Sequence, residues 1–244
     1  MVQRPARSPP LQEEGVRTHV HLPEKAWSLL LVRLLERLRA APAPVPAGSD
    51  FRRPAPGGVP ARIEARLGPL GTGVVGFFCC GCTLAAVGAL AWVSGQPWVF
   101  PSLAPTVLLV FETPLRPQAS PRHVVLGHSA GILIGYGTLA AFGLVDAPAA
   151  TIIGFSPARI GAVALAVALT TFVLHAIRCT HPPAGASALI VALGILQTPE
   201  QLLVMFGAVV LVTALAWAFN RLSGVTMPLW SPHTAPHPGK QEAS

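Results

Sequence analysis

From Leu70 onward the chain reads as a series of apolar runs broken by short polar stretches. Leu70–Val93, His123–Val145, Ile160–Ile177 and Leu202–Phe219 each have the length needed to cross ~30 Å of hydrocarbon at about 1.5 Å per residue. Between them lie two shorter apolar runs, Trp98–Phe111 and Pro182–Leu196, each with proline near its start. Both are marginal for a crossing and have the character of broken or re-entrant helices. The predicted fold is therefore all-α: a polytopic transmembrane bundle of four long spanning helices plus two short broken or re-entrant segments.

The order of runs is long, short, long, and then the same again. The short runs also align, Pro101-Ser-Leu-Ala-Pro-Thr-Val-Leu-Leu-Val110 over Pro182-Pro-Ala-Gly-Ala-Ser-Ala-Leu-Ile-Val191. Identities fall at Pro101/Pro182, Leu108/Leu189 and Val110/Val191, and the hydroxyls of Thr106 and Ser187 coincide. This pattern predicts an internal two-fold repeat. Interrupted segments at matching places in two halves are where transporters place their binding sites.

The region before the first span differs in kind. Residues 1–23 are polar, contain proline and read as disordered. In residues 24–40, Trp27, Leu30, Leu31, Leu34, Leu35 and Leu38 recur at helical spacing opposite Lys25, Arg33, Arg37 and Arg39. Two readings stay open there: a helix lying in the membrane interface, or a partly formed helix without a role. Residues 41–60 read as a linker. The organisation is a basic tail (1–69), a transmembrane domain (70–222) and a disordered C-terminal tail (223–244).

Composition supports the division. Only 11% of the chain is charged, against about 25% in a soluble domain. Residues 70–222 hold eight charged side chains: Glu112, Arg116, Arg122, Asp146, Arg159, Arg178, Glu200 and Arg221. So few cannot clothe a water-soluble surface, so lipid is the solvent. The net charge of +7 comes mainly from the tail. Without a folded basic face interleaved with aromatics it points to anionic lipid, or to an orientation signal, rather than to nucleic acid. Arg52, Arg53, Arg62 and Arg66 before the first span place both termini in the cytoplasm, in a bacterial-type inner or plasma membrane. Four and six crossings both remain open, and the positive-inside rule favours six because it puts Arg116, Arg122 and Arg178 on the cytoplasmic side.

The chemistry-bearing residues gather around Arg178-Cys-Thr-His-Pro-Pro-Ala-Gly-Ala-Ser187. Proline belongs in the first turn of a helix, so a short helix is expected to start at Pro182 with its N-terminus at membrane depth. Free backbone N–H groups and the positive end of the dipole would form an anion cradle there. Thr180, His181, Pro182, Pro183, Gly185 and Ser187 belong to it, with Thr106 from the other half. His128 is a further candidate, because ionisable residues in spans usually face a cavity or the bundle interior. The alternative is a tight turn whose hydroxyls are satisfied locally. His181 could also carry a proton near neutrality. His175 and Cys179 are four residues apart on one helix face, but no metal-binding motif accompanies them. Gly127, Gly131 and Gly135 form a stripe for close helix packing. No catalytic constellation is present and no enzyme, cofactor or metal site is expected.

The run Thr180-His-Pro-Pro-Ala-Gly-Ala-Ser-Ala188 resembles the signature of the HPP family of integral membrane proteins. Ser120-Pro-Arg-His-Val-Val-Leu-Gly-His128 is similar to that family's second signature. The resemblance covers about residues 70–222. It implies four transmembrane helices and, from plastid and cyanobacterial members, transport of nitrite. Where the family has a Gly-Ala-Ser-like run in its first short segment, this chain has Ala104-Pro105-Thr106. Three functional classes follow: a transporter or channel for a small inorganic anion such as nitrite, a structural or regulatory membrane protein, and a metal-handling protein. The partners expected are the lipid bilayer and the anion, with homo-oligomerisation left open. Reporter fusions after Gly68 and Ser231 test the topology: both should report the cytoplasmic side, and opposite locations would overturn it.

Overall fold

The computed structural model describes residues 57–231. The interfacial helix expected at 24–40, the stretch and linker around it up to residue 56, and the chain beyond 231 lie outside the described residues. The described elements are α1 (Gly58–Leu67), α2 (Pro69–Ser94), α3 (Leu103–Glu112), a 3-10 turn (Pro117–Ala119), α4 (Pro121–Ala141), α5 (Ala150–Ile153), α6 (Pro157–Ala176), α7 (Ala184–Ala192) and α8 (Pro199–Leu222). The fold is all-helical, and α2, α4, α6 and α8 are long and apolar enough to cross a membrane. The chain is a multi-pass integral membrane protein, with Leu70, Phe77, Phe78, Trp92, Leu133 and Phe172 turned outward to lipid.

All four spans begin with proline in their first turn, where its missing N–H is no loss and its fixed φ suits the helix. Ser156 and Thr198 cap α6 and α8 with their hydroxyls, accepting from the backbone N–H groups of Arg159 and Gln201. At α8 the Gln201 side chain answers by accepting from Thr198 N–H, which closes a capping box.

The packing pattern follows the predicted repeat. α3 packs on α2 of its own half and on α8 of the other. α7 packs on α6 of its own half and on α4 of the other. α2 meets α8 as α6 meets α4, and α4 and α8 meet each other. Exchanging α2, α3 and α4 for α6, α7 and α8 thus maps this set of contacts onto itself. The short helices also begin at aligned positions, Leu103 and Ala184.

The short helices have defined directions relative to the long ones. Gly127, Gly131 and Gly135 of α4 face His181, Ala184 and Ala188 in the same order, so α7 runs parallel to α4. Its lead-in starts beside the beginning of α4, where His123 Nδ1 donates to the Thr180 carbonyl at 3.2 Å. Its end reaches the opposite side, where the Leu193 carbonyl accepts from Ala150 N–H at 2.9 Å. In the other half, Trp98 lies against Gly207 in the first half of α8, and the Val110 carbonyl meets Asn220 near the end of α8. Each short helix thus runs parallel to a long helix of the other half, α7 to α4 and α3 to α8. One end of the bundle gathers α1, the start of α4 and the ends of α6 and α8, tied by Val59 N–H to the Ser223 carbonyl and Arg122 N–H to the Trp230 carbonyl. Arg62, Arg66, Arg122, Arg178 and Arg221 belong to that end.

Two boundaries differ from the sequence reading. The end of the expected linker and tail is helical as α1, which packs on α2 and carries no buried side chain, so hydropathy gave no signal for it. Gly58 takes φ +78 there, and a Cβ would collide with the Ser223 carbonyl. Past residue 222 the chain folds back, burying Val225 and Met227. Trp217 Nε1 donates to the Pro228 carbonyl at 3.1 Å.

At the other end Arg159 is almost fully buried. Its guanidinium donates to the Ala192 carbonyl at the end of α7 and to the Pro148 carbonyl in the α4–α6 connection. A cation at a helix C-terminus offsets the negative end of the dipole, so Arg159 anchors the far end of α7.

The glycine stripe is where α4 and α7 approach backbone to backbone. A Cβ at Gly131 would meet the Ala184 carbonyl, and one at Gly135 would lie 2.7 Å from the Ala188 carbonyl. Gly131→Ala should therefore lower the thermal midpoint of the detergent-purified protein, with an overpacking cost of about 1–3 kcal/mol. Gly137→Ala on the same helix meets open space and should leave the midpoint unchanged or raise it. Equal midpoints for the two variants would show that the crossing can relax.

Candidate functional site

The close crossing of α4 and α7 brings side chains from three helices together. Thr106 is in the first turn of α3, His128 in the second turn of α4, Ser187 in the first turn of α7 and His181 in its lead-in. All four are buried. Thr106 Oγ1 lies 2.8 Å from His128 Nε2, and Ser187 Oγ lies 2.6 Å from His128 Nδ1. One imidazole thus bridges the two hydroxyls that the sequence repeat aligns.

His181 joins from the side. Its Nε2 is 3.2 Å from His128 Nε2 and 3.3 Å from Thr106 Oγ1, with the two rings edge to face at 4.9 Å. Its Nδ1 donates to the Gln118 carbonyl of the 3-10 turn at 2.9 Å. The Thr106 hydroxyl donates to the Ser102 carbonyl at 3.0 Å. Such a chain of hydrogen bonds inside a low-dielectric bundle is stronger than in water, and every broken member is costly.

The backbone of the turn departs from the expected cradle. α7 begins at Ala184 rather than Pro182, and its first N–H groups fold back onto the turn. Ala184 donates to the His181 carbonyl, Gly185 to that of Pro182 and Ala186 to that of Pro183, at 3.0–3.1 Å. The double proline, by removing two donors and fixing two φ angles, lets a tight turn absorb the next three. Any ligand there must be held by side chains.

Thr180, Pro182 and Gly185 lie on the other side of His181. With Thr170, Thr171 and His175 of α6 they line a cleft of about 260 Å³ that opens beside α6 and has His181 in its wall. A Cβ at Gly185 would meet nothing, so the space beside it is open. Pro183 is buried as the N-cap of α7. His175 and Cys179 turn to different partners: the imidazole bonds the Thr171 carbonyl, and the thiol faces the Arg122 carbonyl at 3.9 Å. Among the described residues no three His, Cys, Asp or Glu side chains gather as metal ligands.

The structure adds two residues that the sequence did not single out. Ser102 and Gln118 flank the cluster, each contributing a backbone carbonyl to it. Ser102 Oγ and Gln118 Oε1 are buried without a hydrogen-bond partner among the described residues. Ser102 precedes Thr106 by one helical turn, so its place on that face was readable. Nothing in the local sequence marks Gln118, because its role comes from where the 3-10 turn meets His181.

The family model described as HPP, transmembrane region, matches residues 66–228, which contain the whole cluster. A transmembrane protein of Dictyostelium discoideum is 37% identical over 89 residues, covering 36% of this chain and 25% of that protein. A second from the same organism is 31% identical over 96 residues, covering 39% and 30%. The matched segment thus spans less than a third of either relative. No solved structure matches the chain significantly.

Because Thr106 and Ser187 bond opposite edges of one ring, their contributions should be coupled. Thr106→Val and Ser187→Ala should each destabilise the protein by about 1–3 kcal/mol through the loss of a buried hydrogen bond to the His128 ring. The double variant should lose less than the sum, since neighbours sharing a partner are non-additive. Thermal unfolding in detergent reads the cycle, and strict additivity would show that His128 does not link the halves.

Proposed function

The chain belongs to the HPP transmembrane family, and from that premise we propose that it is a transporter or channel for a small inorganic anion, nitrite being the member of that class which the family resemblance favours. It acts by passage of the solute and not as an enzyme. The observation that carries this reading is the buried cluster of Thr106, His128, His181 and Ser187, where side chains from both half-length helices converge on one imidazole of a spanning helix. Polar residues at membrane depth are costly and mark solute or ion pathways, and paired short segments mark the substrate position in repeat-built transporters.

The cleft beside Thr180, Pro182 and Gly185 supports the same reading. It leads from the flank of α6 to His181, so solute can reach the cluster from one side. The lining holds three threonines, two histidines and no carboxylate. The positive end of the α7 dipole points toward this region, which favours an anion over a cation. The cluster itself is closed, which fits an occluded gate at the inner end of that cleft. In the proposed orientation the arginine-bearing end faces the cytoplasm, following the positive-inside rule.

The test is nitrite uptake into proteoliposomes holding the full-length protein. Uptake should exceed that of protein-free liposomes. His181→Ala and Ser187→Ala should each reduce it about tenfold or more, the consequence of losing ~1.4 kcal/mol of hydrogen bonding at the site. Gly137→Ala, which touches nothing in the cluster, should transport as the wild type does. Wild-type uptake equal to the liposome background would overturn the proposal in favour of a structural role.

A further inference from the structure

We propose that the cluster accepts an anion only together with one proton, so that the solute crosses as an electroneutral proton–anion pair. This rests on the transport reading above and adds its coupling. The argument is a count of hydrogens. The Gln118 carbonyl can only accept, so His181 Nδ1 carries a hydrogen and the neutral ring's Nε2 is bare. The contact between the two Nε2 atoms at 3.2 Å needs one hydrogen between them, which places it on His128 Nε2. His128 Nδ1 is then bare and accepts from the Ser187 hydroxyl at 2.6 Å. The Thr106 hydroxyl gives its hydrogen to the Ser102 carbonyl.

In that state every side-chain hydrogen of the cluster is directed at a protein acceptor. The first N–H groups of α7 are turned back on their own carbonyls. At Thr106, His128, His181 and Ser187 an arriving anion meets lone pairs and no free donor, and the nearby Ser102 hydroxyl, buried without a partner among the described residues, is neutral and brings no charge to balance the anion. One added proton reverses this. Placed on His128 Nδ1, it points at Ser187 Oγ, and the serine hydroxyl must rotate its own hydrogen away. The freed O–H becomes a donor for the anion, beside a ring that now carries a positive charge. On release the proton leaves His128 Nδ1 for the departing anion or water, and the Ser187 hydrogen rotates back. One positive and one negative charge have moved together.

The surroundings make the proton depend on the anion. The ionisable groups near the pair are Arg122 and His123 of α4, His175 of α6, and Arg178 and Cys179 of the lead-in to α7. α3 and the 3-10 turn present Thr106 and Gln118, with Arg116 in the segment that joins them, while α8 buries Met205, Ala208 and Val209. His123 and His175 have their Nδ1 atoms engaged by the Thr180 and Thr171 carbonyls. No carboxylate bonds to the pair or lines its cleft among the described residues. A buried imidazolium there has no protein counter-ion, and the anion supplies it.

The test uses full-length protein in liposomes with nitrite and an entrapped pH dye. With the membrane potential clamped at zero by valinomycin and equal potassium, an alkaline interior should drive uptake, with one proton entering per nitrite. With no pH gradient, an imposed potential of either sign should leave the rate unchanged. Protein-free liposomes correct for nitrous acid leak. His128→Asn keeps a donor and an acceptor but cannot take the proton, and should abolish gradient-driven uptake. Should that variant fail to fold, the two wild-type arms decide alone. Uptake driven by potential and indifferent to the pH gradient would overturn the coupling and leave the transport reading intact. Uptake at the protein-free background would overturn both.

Discussion

A bilayer core supplies no water to a polar group, so each one buried there must find its partner in the protein. In this chain that constraint falls on the imidazole of His128. Both of its nitrogens are engaged, one by Thr106 from the first half of the chain and one by Ser187 from the second. His181 completes the arrangement and carries it to the 3-10 turn through the Gln118 carbonyl. Because the partners come from α3, α4 and α7, satisfying one ring fixes how three helices meet.

The rest of the packing is what allows that meeting. Gly127, Gly131 and Gly135 remove the side chains that would hold α4 away from α7. The helices then come close enough for the Ser187 hydroxyl to reach the ring. At the far end Arg159 ties the end of α7 to the α4–α6 connection, so the short helix is held at both ends. In the first half the corresponding short helix is held by the end of α8, where Asn220 reaches the Val110 carbonyl. The two half-length helices thus use different side chains to serve the same geometric purpose, and membership of the HPP family places the arrangement within a known class of membrane proteins.

The two halves share a pattern of helix pairing and differ in their chemistry. The helix contacts of one half reappear in the other, and the hydroxyls of Thr106 and Ser187 occupy matching places. Yet the inward face of α8 around Met205, Ala208 and Val209 is apolar, while the inward face of α4 carries His128. In the same alignment the turn His181-Pro182-Pro183 is matched by Phe100-Pro101-Ser102, without a histidine. Functional polarity is therefore concentrated on one side of a two-fold scaffold, where a cleft also reaches it.

The sequence by itself determined the solvent of this protein, its four spanning helices and the order of its two halves. Runs of apolar residues long enough for hydrocarbon have only one stable form, a helix, so length and hydropathy suffice. It also placed the alignment of Thr106 with Ser187 and the close-packing stripe, since both depend on spacing along a helix. It did not reveal α1, whose faces carry no buried side chain, nor the return of residues 225–231 onto the bundle, which contains no long apolar run. Only the tertiary structure decided that His128 joins the two hydroxyls, because that ring is separated from them by 22 and 59 residues. It also decided that the turn at Pro182–Pro183 consumes its own N–H groups. Hydrogen bonds between distant side chains depend on how helices cross, and a one-dimensional pattern records which face a residue occupies but not what stands opposite it.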